Sequence, residues 1–198
     1  MSIAQQLITA EQFAAMKLDG PAELVRGEIV YLHRRTGNVG DLAGVCRMPQ
    51  NYHGYVTAAI VGLLFMWNHK RGLGLLLSND SWVVTENDPD SVRGPDVIYI
   101  RRDKLPTEKL QQGVLRFPPD LVVEVLSPSD RWPDVLDKVS EYLRSGIGEV
   151  WVVDPDQRVL DIHRADQMPE HLTAADTLSR PELLPGFSCP VAELFADI

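Results

Sequence analysis

No stretch of this 198-residue sequence runs to about 18 apolar residues, so nothing in it reads as a membrane span. Its opening, MSIAQQLITAEQF, lacks a basic start followed by an apolar block and does not read as a secretory signal. The cytoplasm is therefore the expected compartment. Cysteine is scarce: Cys46 and Cys189 have no metal-ligand spacing and are expected as free thiols packed as small apolar side chains. The histidines (His33, His53, His69, His163 and His171) do not show zinc-site spacing; His53 opens the long helix beside the loop and could face a site, but a histidine at a helix start is more often a surface residue. There is no Gly-rich phosphate cradle, and Ser127-Pro128-Ser129 is not a nucleophile elbow. Positive charge is also short, with 19 Lys and Arg against 28 Asp and Glu, a net charge of −9. That argues against a bulk electrostatic grip on nucleic acid, unless basic residues cluster or metal ions neutralise a dense acidic site.

What remains is the composition of an ordinary folded chain, 44% hydrophobic and 24% charged, of a length that suits one domain spanning residues 1–198. Internal repeats and low-complexity linkers are absent. Thr9 and Gln12 have capping-box spacing, which predicts a short helix over 10–16 with Phe13 and Met16 on its apolar side. AELVRGEIVYLH reads as a strand broken at Arg26-Gly27 into a hairpin, giving an N-terminal unit over 9–33. Residues 34–51 are Gly-rich and aperiodic, a long loop. Val56, Ile60, Leu63, Leu64 and Trp67 recur at helical spacing and predict a long helix over 52–71, stopped by Gly72. GLGLLLS, SWVVT and PDVIYI are strand candidates, and 105–115 has room for one helical turn. Residues 131–145 read as a helix with Asp130 as N-cap and Pro133 in its first turn. EVWVVDP and RVLDIHR form a hairpin, completing a core over 52–163. A Pro-punctuated tail over 164–198 packs on the sheet and ends in a short helix near 191–195. The fold class is α/β.

The chain is organised around PDLVVEVLSPSD, whose apolar run at 121–126 suits a strand buried on both faces. Glu124 stands in that run. A carboxylate there costs several kcal/mol unless it is protonated, paired or bound to a cation, which marks it as a candidate functional group. Asp96 enters an earlier strand directly after Pro95, on the same face as Ile98 and Ile100. Two carboxylates converging from adjacent strands call for a shared cation or a proton. Hard oxygen donors select Mg²⁺ or Mn²⁺, and the backbone carbonyl of Val125 is a further candidate ligand. On the following helix Val135, Val139, Tyr142 and Leu143 form the apolar stripe. Lys138 lies roughly 40° beyond Tyr142, where it can either snorkel to water or reach back over the sheet.

In combination, AELVRGEIV, GPDVIYIRR, PDLVVEVLSPSDR, DVLDKVSEYLRSGIGEVWVVDP and LLPGFSCPVAELF resemble the Uma-type family of restriction-endonuclease-like proteins. The resemblance runs from about Thr9 to Phe195 and is carried by the order of the motifs, not by any one of them. It implies a PD-(D/E)XK nuclease fold, a mixed central sheet flanked by helices. Asp96 matches the aspartate of the PD motif and Glu124 the glutamate of its second half. Glu23 matches a glutamate in the family's N-terminal Glu-Leu-hydrophobic stretch and is expected as an extra metal or water ligand. Leu126 stands where the simple pattern has lysine, so the lysine role passes to Lys138.

The resemblance implies a Mg²⁺- or Mn²⁺-dependent endonuclease acting on DNA. Its expected catalytic residues are Asp96, Glu124, Lys138 and Glu23, and its metal ligands Asp96, Glu124 and Val125. Arg101, Arg102, Lys104, Arg131 and Trp132 are the candidate substrate contacts. Two further readings stand beside it: a nuclease fold kept as a binding or assembly module, and a hydrolase of small phosphoesters or nucleotides. A homodimer is expected as the oligomeric form.

Overall fold

The computed structural model describes residues 7–32, 51–79, 81–106, 109–110, 112–128 and 130–198. The capping box forms as the spacing predicts. The Thr9 hydroxyl accepts from the Gln12 amide at 3.3 Å and the Gln12 side chain accepts from the Thr9 amide at 2.9 Å, opening α1 (Ala10–Ala15). Met16 does not join Phe13 in the core. It is the C-cap in an extended conformation, which turns its side chain out to 44% exposure. The hairpin follows, with β1 (Ala22–Val25) and β2 (Glu28–Tyr31) joined through Arg26 and Gly27. Both turn residues have positive φ, 49° and 78°, the geometry that two-residue hairpins favour.

The long loop expected over 34–51 falls outside the described residues apart from Asn51, which already begins α2 (Asn51–His69). Val56, Ile60, Leu64 and Trp67 are buried along one side of α2. Arg71 donates to the Trp67 carbonyl at 2.6 Å, and Gly72, at φ 61°, ends the helix by donating to the Asn68 carbonyl. β3 (Gly74–Ser78), β4 (Val83–Glu86), β5 (Ser91–Arg93) and β6 (Val97–Arg101) come next. β5 has only three residues and little apolar pattern, so no strand is expected there from sequence. The single helical turn envisaged over 105–115 is not found among the described residues of that stretch, where Leu115 instead bridges to Val83.

β7 (Leu121–Val125), α3 (Trp132–Arg144) and β8 (Glu149–Asp154) form a strand–helix–strand crossover, so β7 and β8 pair in parallel. Asp130 does not cap α3. Arg131 occupies that position, while the Asp130 carboxylate accepts from the amide and hydroxyl of Ser127 at 2.7 and 2.9 Å. β9 (Val159–His163) and β10 (Glu170–Thr173) extend the sheet, and β11 (Thr177–Ser179) and β12 (Ser188–Pro190) form a separate ribbon. A 3-10 helix, Val191–Phe195, ends the apolar tail where a short helix is expected.

The main sheet has the order β10-β9-β8-β7-β6-β3 and is mixed, with β7–β8 its one parallel pair. α2 and the tail cover one face through Val97, Tyr99, Val123 and Trp151; Cys189 is a buried free thiol in that layer. α3 covers the other face through Ile98, Val122, Val150 and Val152. The second sheet, β2-β1-β5-β4, packs Leu24 and Val92 on α1, while Val83 joins the α3 layer. Its α3-facing side carries polar groups into the space beside the central strand.

Two glycine substitutions test this packing. A Cβ on Gly74 would lie 2.3 Å from the Ile100 carbonyl oxygen, whereas one on Gly62, mid-α2, meets nothing within 4 Å. Gly74→Ala is expected to destabilise by about 1–3 kcal/mol or more, and Gly62→Ala to stabilise by roughly 0.5–1 kcal/mol, both read by urea unfolding.

Candidate active site

β6 and β7 run antiparallel with Val97 opposite Val123, and continuing that register one step sets Asp96 opposite Glu124. Backbone bonds pin the pair. The Asp96 amide donates to the Val123 carbonyl at 3.1 Å, and Asp96 Oδ2 accepts from the Val125 amide at 2.8 Å. The other oxygen, Oδ1, lies 3.2 Å from His53 Nε2 in the first turn of α2. His53 is therefore not a free surface residue, and its hydrogen bond to Asp96 raises its basicity. Glu124 sits on the α3 side of β7 with its side chain 14% exposed.

α3 brings Lys138, Glu141 and Tyr142 to the same place, because positions three and four apart share a helix face. Lys138 Nζ lies 3.1 Å from Glu124 Oε2 and 3.0 Å from Glu23 Oε1. The buried Tyr142 hydroxyl donates to Glu124 Oε1 at 2.6 Å. The lysine thus points into the site, not out to water. Glu23 alternates with Leu24 on β1, so it leaves the α1 core and faces α3. Its Oε1 also accepts from the Gly94 amide at 3.1 Å, and its Oε2 meets Arg93 NH1 at 2.9 Å. Arg93 forms a second, bidentate pair with Glu141, which also accepts from the Thr85 hydroxyl.

These contacts push the groups apart electrostatically. Burial raises Glu124 to about 7, helped by the charges of Asp96 and Glu23 and opposed by Lys138 and the Tyr142 hydrogen bond. Burial also works against charge on Glu23, but Lys138 and Arg93 overcome it and hold that carboxyl below its usual range. Lys138 is likewise disfavoured by burial, yet Glu124 and Glu23 raise it above an ordinary lysine. Glu23 is ionised at neutral pH, Lys138 is charged, and Glu124 is poised between its two forms.

Among the described residues no group of three or more His, Cys, Asp or Glu has the disposition of a metal cage. The groups that could hold a hard cation are the carboxylates of Asp96 and Glu124 with the Val125 carbonyl, and a cation there would share oxygens already engaged by the Val125 amide, His53, Tyr142 and Lys138. That set suits Mg²⁺ or Mn²⁺, which need one or two carboxylates and otherwise keep water and substrate oxygens. A cavity of about 540 Å³ lined by α1 together with Leu105, Leu110 and Phe117 shares no residue with this cluster.

The family model described as "Putative restriction endonuclease", Uma2, matches residues 10–192. The chain belongs to the Uma2 family. No curated protein matches the chain significantly. Among solved structures, a "putative nuclease belonging to DUF820" from Anabaena variabilis ATCC 29413 superposes with a TM-score of 0.75. The two share 18% identity, and the match covers 96% of this chain and 98% of that one. At that identity the likeness establishes the fold alone, the nuclease-like α/β architecture expected from the motifs.

In this Uma2 chain Asp96, Glu124, Lys138 and Glu23 come together. Glu23 arrives with its oxygens engaged by Lys138, Gly94 and Arg93, so in this arrangement it anchors the lysine. Arg101, Arg102 and Lys104 are not brought to the cluster. Arg101 ends β6, about 16 Å from Asp96 at some 3.3 Å per residue, and Arg102 and Lys104 follow it. There Arg101 and Lys104 pair with Asp120, and Arg102 donates to the Gly72 carbonyl. Arg131 and half-exposed Trp132 open α3 just beyond the cluster, with Arg131 held by Asp134 at 2.9 Å. Arg93, Glu141 and Thr85 are the residues sequence reasoning missed. For Glu141 a signal exists, since it lies three residues after Lys138 beside the apolar stripe.

Glu124 is expected to titrate near 7 in the metal-free protein, well above its ordinary value of 4.5. Tyr142→Phe, which removes a hydrogen bond to the ionised form, should move it higher still. Carboxyl ¹³C NMR across pH 4–9 reads both shifts.

Proposed function

We propose that this protein is a divalent-metal-dependent endonuclease that hydrolyses DNA phosphodiester bonds. The observation carrying this reading is the Lys138 ammonium, 3.1 Å from Glu124 and delivered from a helix to the carboxylate pair on β6 and β7. Family membership and the nuclease-like fold support it. Asp96 and Glu124, with the Val125 carbonyl, would hold Mg²⁺ or Mn²⁺. Bound there, such an ion supplies Lewis acidity and a more acidic water. The chain's own residues do the positioning. The backbone amide of Val125 and the ring of His53 fix the Asp96 carboxylate from two sides. Lys138, held by Glu23, presents fixed positive charge to an attacking water and to the charge that develops on the phosphoryl oxygens. Glu23 stays ionised and keeps that ammonium from swinging to solvent. Arg131 and Trp132, at the start of α3, are proposed contacts to the flanking strand.

A second reading, a nuclease fold serving as a binding or assembly module, draws on Glu124 already being engaged through both oxygens by Tyr142 and Lys138. The two readings part in a plasmid-nicking assay with Mg²⁺ or Mn²⁺. Asp96→Ala, Glu124→Gln and Lys138→Met should each lose about 10²–10³-fold in rate. Because Glu124 must ionise before it can bind a cation, activity at sub-saturating metal should fall as the pH is lowered and recover as more metal is added. Equal nicking by wild type and Asp96→Ala would defeat the nuclease reading.

A further inference from the structure

Away from the carboxylate pair, cations of this acidic chain gather at one place. β3 and β6 pair with Gly74 opposite Arg101, and Arg102 donates its amide to the Leu73 carbonyl at 2.8 Å and its Nε to the Gly72 carbonyl at 2.9 Å. Those bonds set Lys70 and Arg71, at the end of α2, beside Arg101, Arg102 and Lys104. Five of the chain's 19 basic residues thus share two touching turns. Two carboxylates answer them. Asp120, 5% exposed, is engaged by Arg101 at 3.2 Å and Lys104 at 3.1 Å, and Asp103 lies 3.4 Å from Arg101. The end of α2 attracts cations on its own account, and Arg71 answers it by donating to the Trp67 carbonyl. Lys70 makes no such bond. Among the described residues Lys70, Arg71 and Arg102 are exposed and have no carboxylate within 4 Å. An excess of positive charge is left on the surface of a chain whose net charge is −9.

The ground between this cluster and the site carries no negative charge. Residues 51–79, which hold α2 and β3, contain no Asp or Glu, in a chain that has 28. β3 is the end strand of the main sheet and runs antiparallel to β6, from Gly74 beside the cations to Ser78 opposite Val97. The next residue, Asn79, donates its amide to the Asp96 carbonyl at 3.3 Å. The track from the cations to the carboxylates is therefore about 16 Å long, at some 3.3 Å per residue. One strand of DNA advances about 3.4 Å per nucleotide along the helix axis, so a backbone with a phosphate at Asp96 brings another to the cations about five nucleotides on.

We infer that the turns at 70–73 and 101–104 grip the backbone of a DNA duplex about five base pairs to one side of the cleaved bond, with the α2–β3 track lying along the strand between. The inference rests on the nuclease reading for where the cleaved phosphate lies. A regular ladder of phosphates matches both ends of a track of fixed length, which a flexible acidic peptide does not. Contacts of this kind read no base sequence. They set the register of the duplex on the protein and supply affinity that salt weakens.

The test is fluorescence anisotropy of a labelled 20-base-pair duplex, titrated with the full chain in EDTA, so that no strand is cut, over a series of salt concentrations. Lys70→Gln/Arg102→Gln removes two of the cations. It should lower the slope of log affinity against log salt by about 2 and weaken binding about tenfold at moderate salt. Arg102→Lys keeps the charge and should bind as the wild type does, which separates the charge from the bond to Gly72. Lys17→Gln removes an exposed charge outside these turns and should leave the slope unchanged. Amide shifts in NMR on adding the duplex are expected over 70–79 and at Arg102. An unchanged slope in the double variant overturns the assignment, as does an equal loss in Lys17→Gln or in Arg102→Lys. So does duplex binding that moves no amide over 70–79. Polyglutamate binding as tightly as the duplex also overturns it and gives the patch to acidic partners in general. The nuclease reading fails separately. A wild type that binds DNA through these turns but nicks none with Mg²⁺ or Mn²⁺ defeats that reading and leaves the surface standing. Nicking by a wild type whose affinity and salt slope the double variant shares does the reverse.

Discussion

An ammonium buried between two glutamates is the contact on which the rest of this site depends. Lys138 bridges Glu124 on the main sheet and Glu23 on the smaller one, so a single positive charge joins α3, β7 and β1. Deleting one partner of such a pair leaves an uncompensated buried charge, at a cost of about 3–5 kcal/mol. The fold therefore needs all three elements in place at once. Arg93 extends the same logic outward by binding Glu23 and Glu141, which keeps Glu23 charged and in position to hold the lysine.

The architecture that makes this possible is the packing of two sheets around one helix. β7 lies in the middle of the main sheet and contributes only one polar side chain, Glu124, to the layer beneath α3. The small sheet contributes the counter-set through strand alternation: Leu24 and Val92 face α1, while Glu23 and Arg93 face α3. Continuing the Leu24–Val92 pairing by one residue brings Glu23 opposite Arg93, so their ion pair is a consequence of register. A slip of one residue would turn both groups into the α1 core.

Much of the fold is legible in the sequence because its signals are local. The capping box, the Arg26-Gly27 turn, the α2 periodicity and the apolar run of β7 each need only a few neighbouring residues to specify them. Asp96 and Glu124 are legible for a related reason, since a carboxylate at a buried strand position has few physical explanations. Arg93 and Thr85 are not: β5, which carries Arg93, is too short to show a period, and the partner of both residues, Glu141 on α3, lies 48 and 56 residues away. His53 misleads in the same way: a histidine opening a helix looks like surface until the turn of α2 is set against Asp96. Arg101, Arg102 and Lys104 show the converse error. They follow Asp96 closely in sequence, but an extended strand carries them to its opposite end.

Calorimetric titration of Mn²⁺ into the wild type, Asp96→Asn and Glu124→Gln tests the central claim most directly, because it asks whether the carboxylate pair is a cation site whatever substrate the protein acts on. The account predicts one binding event per chain in the wild type, stronger at pH 8 than at pH 6, and absent from both variants. Wild-type binding that survives in both variants, or none in the wild type even with DNA present, would contradict it.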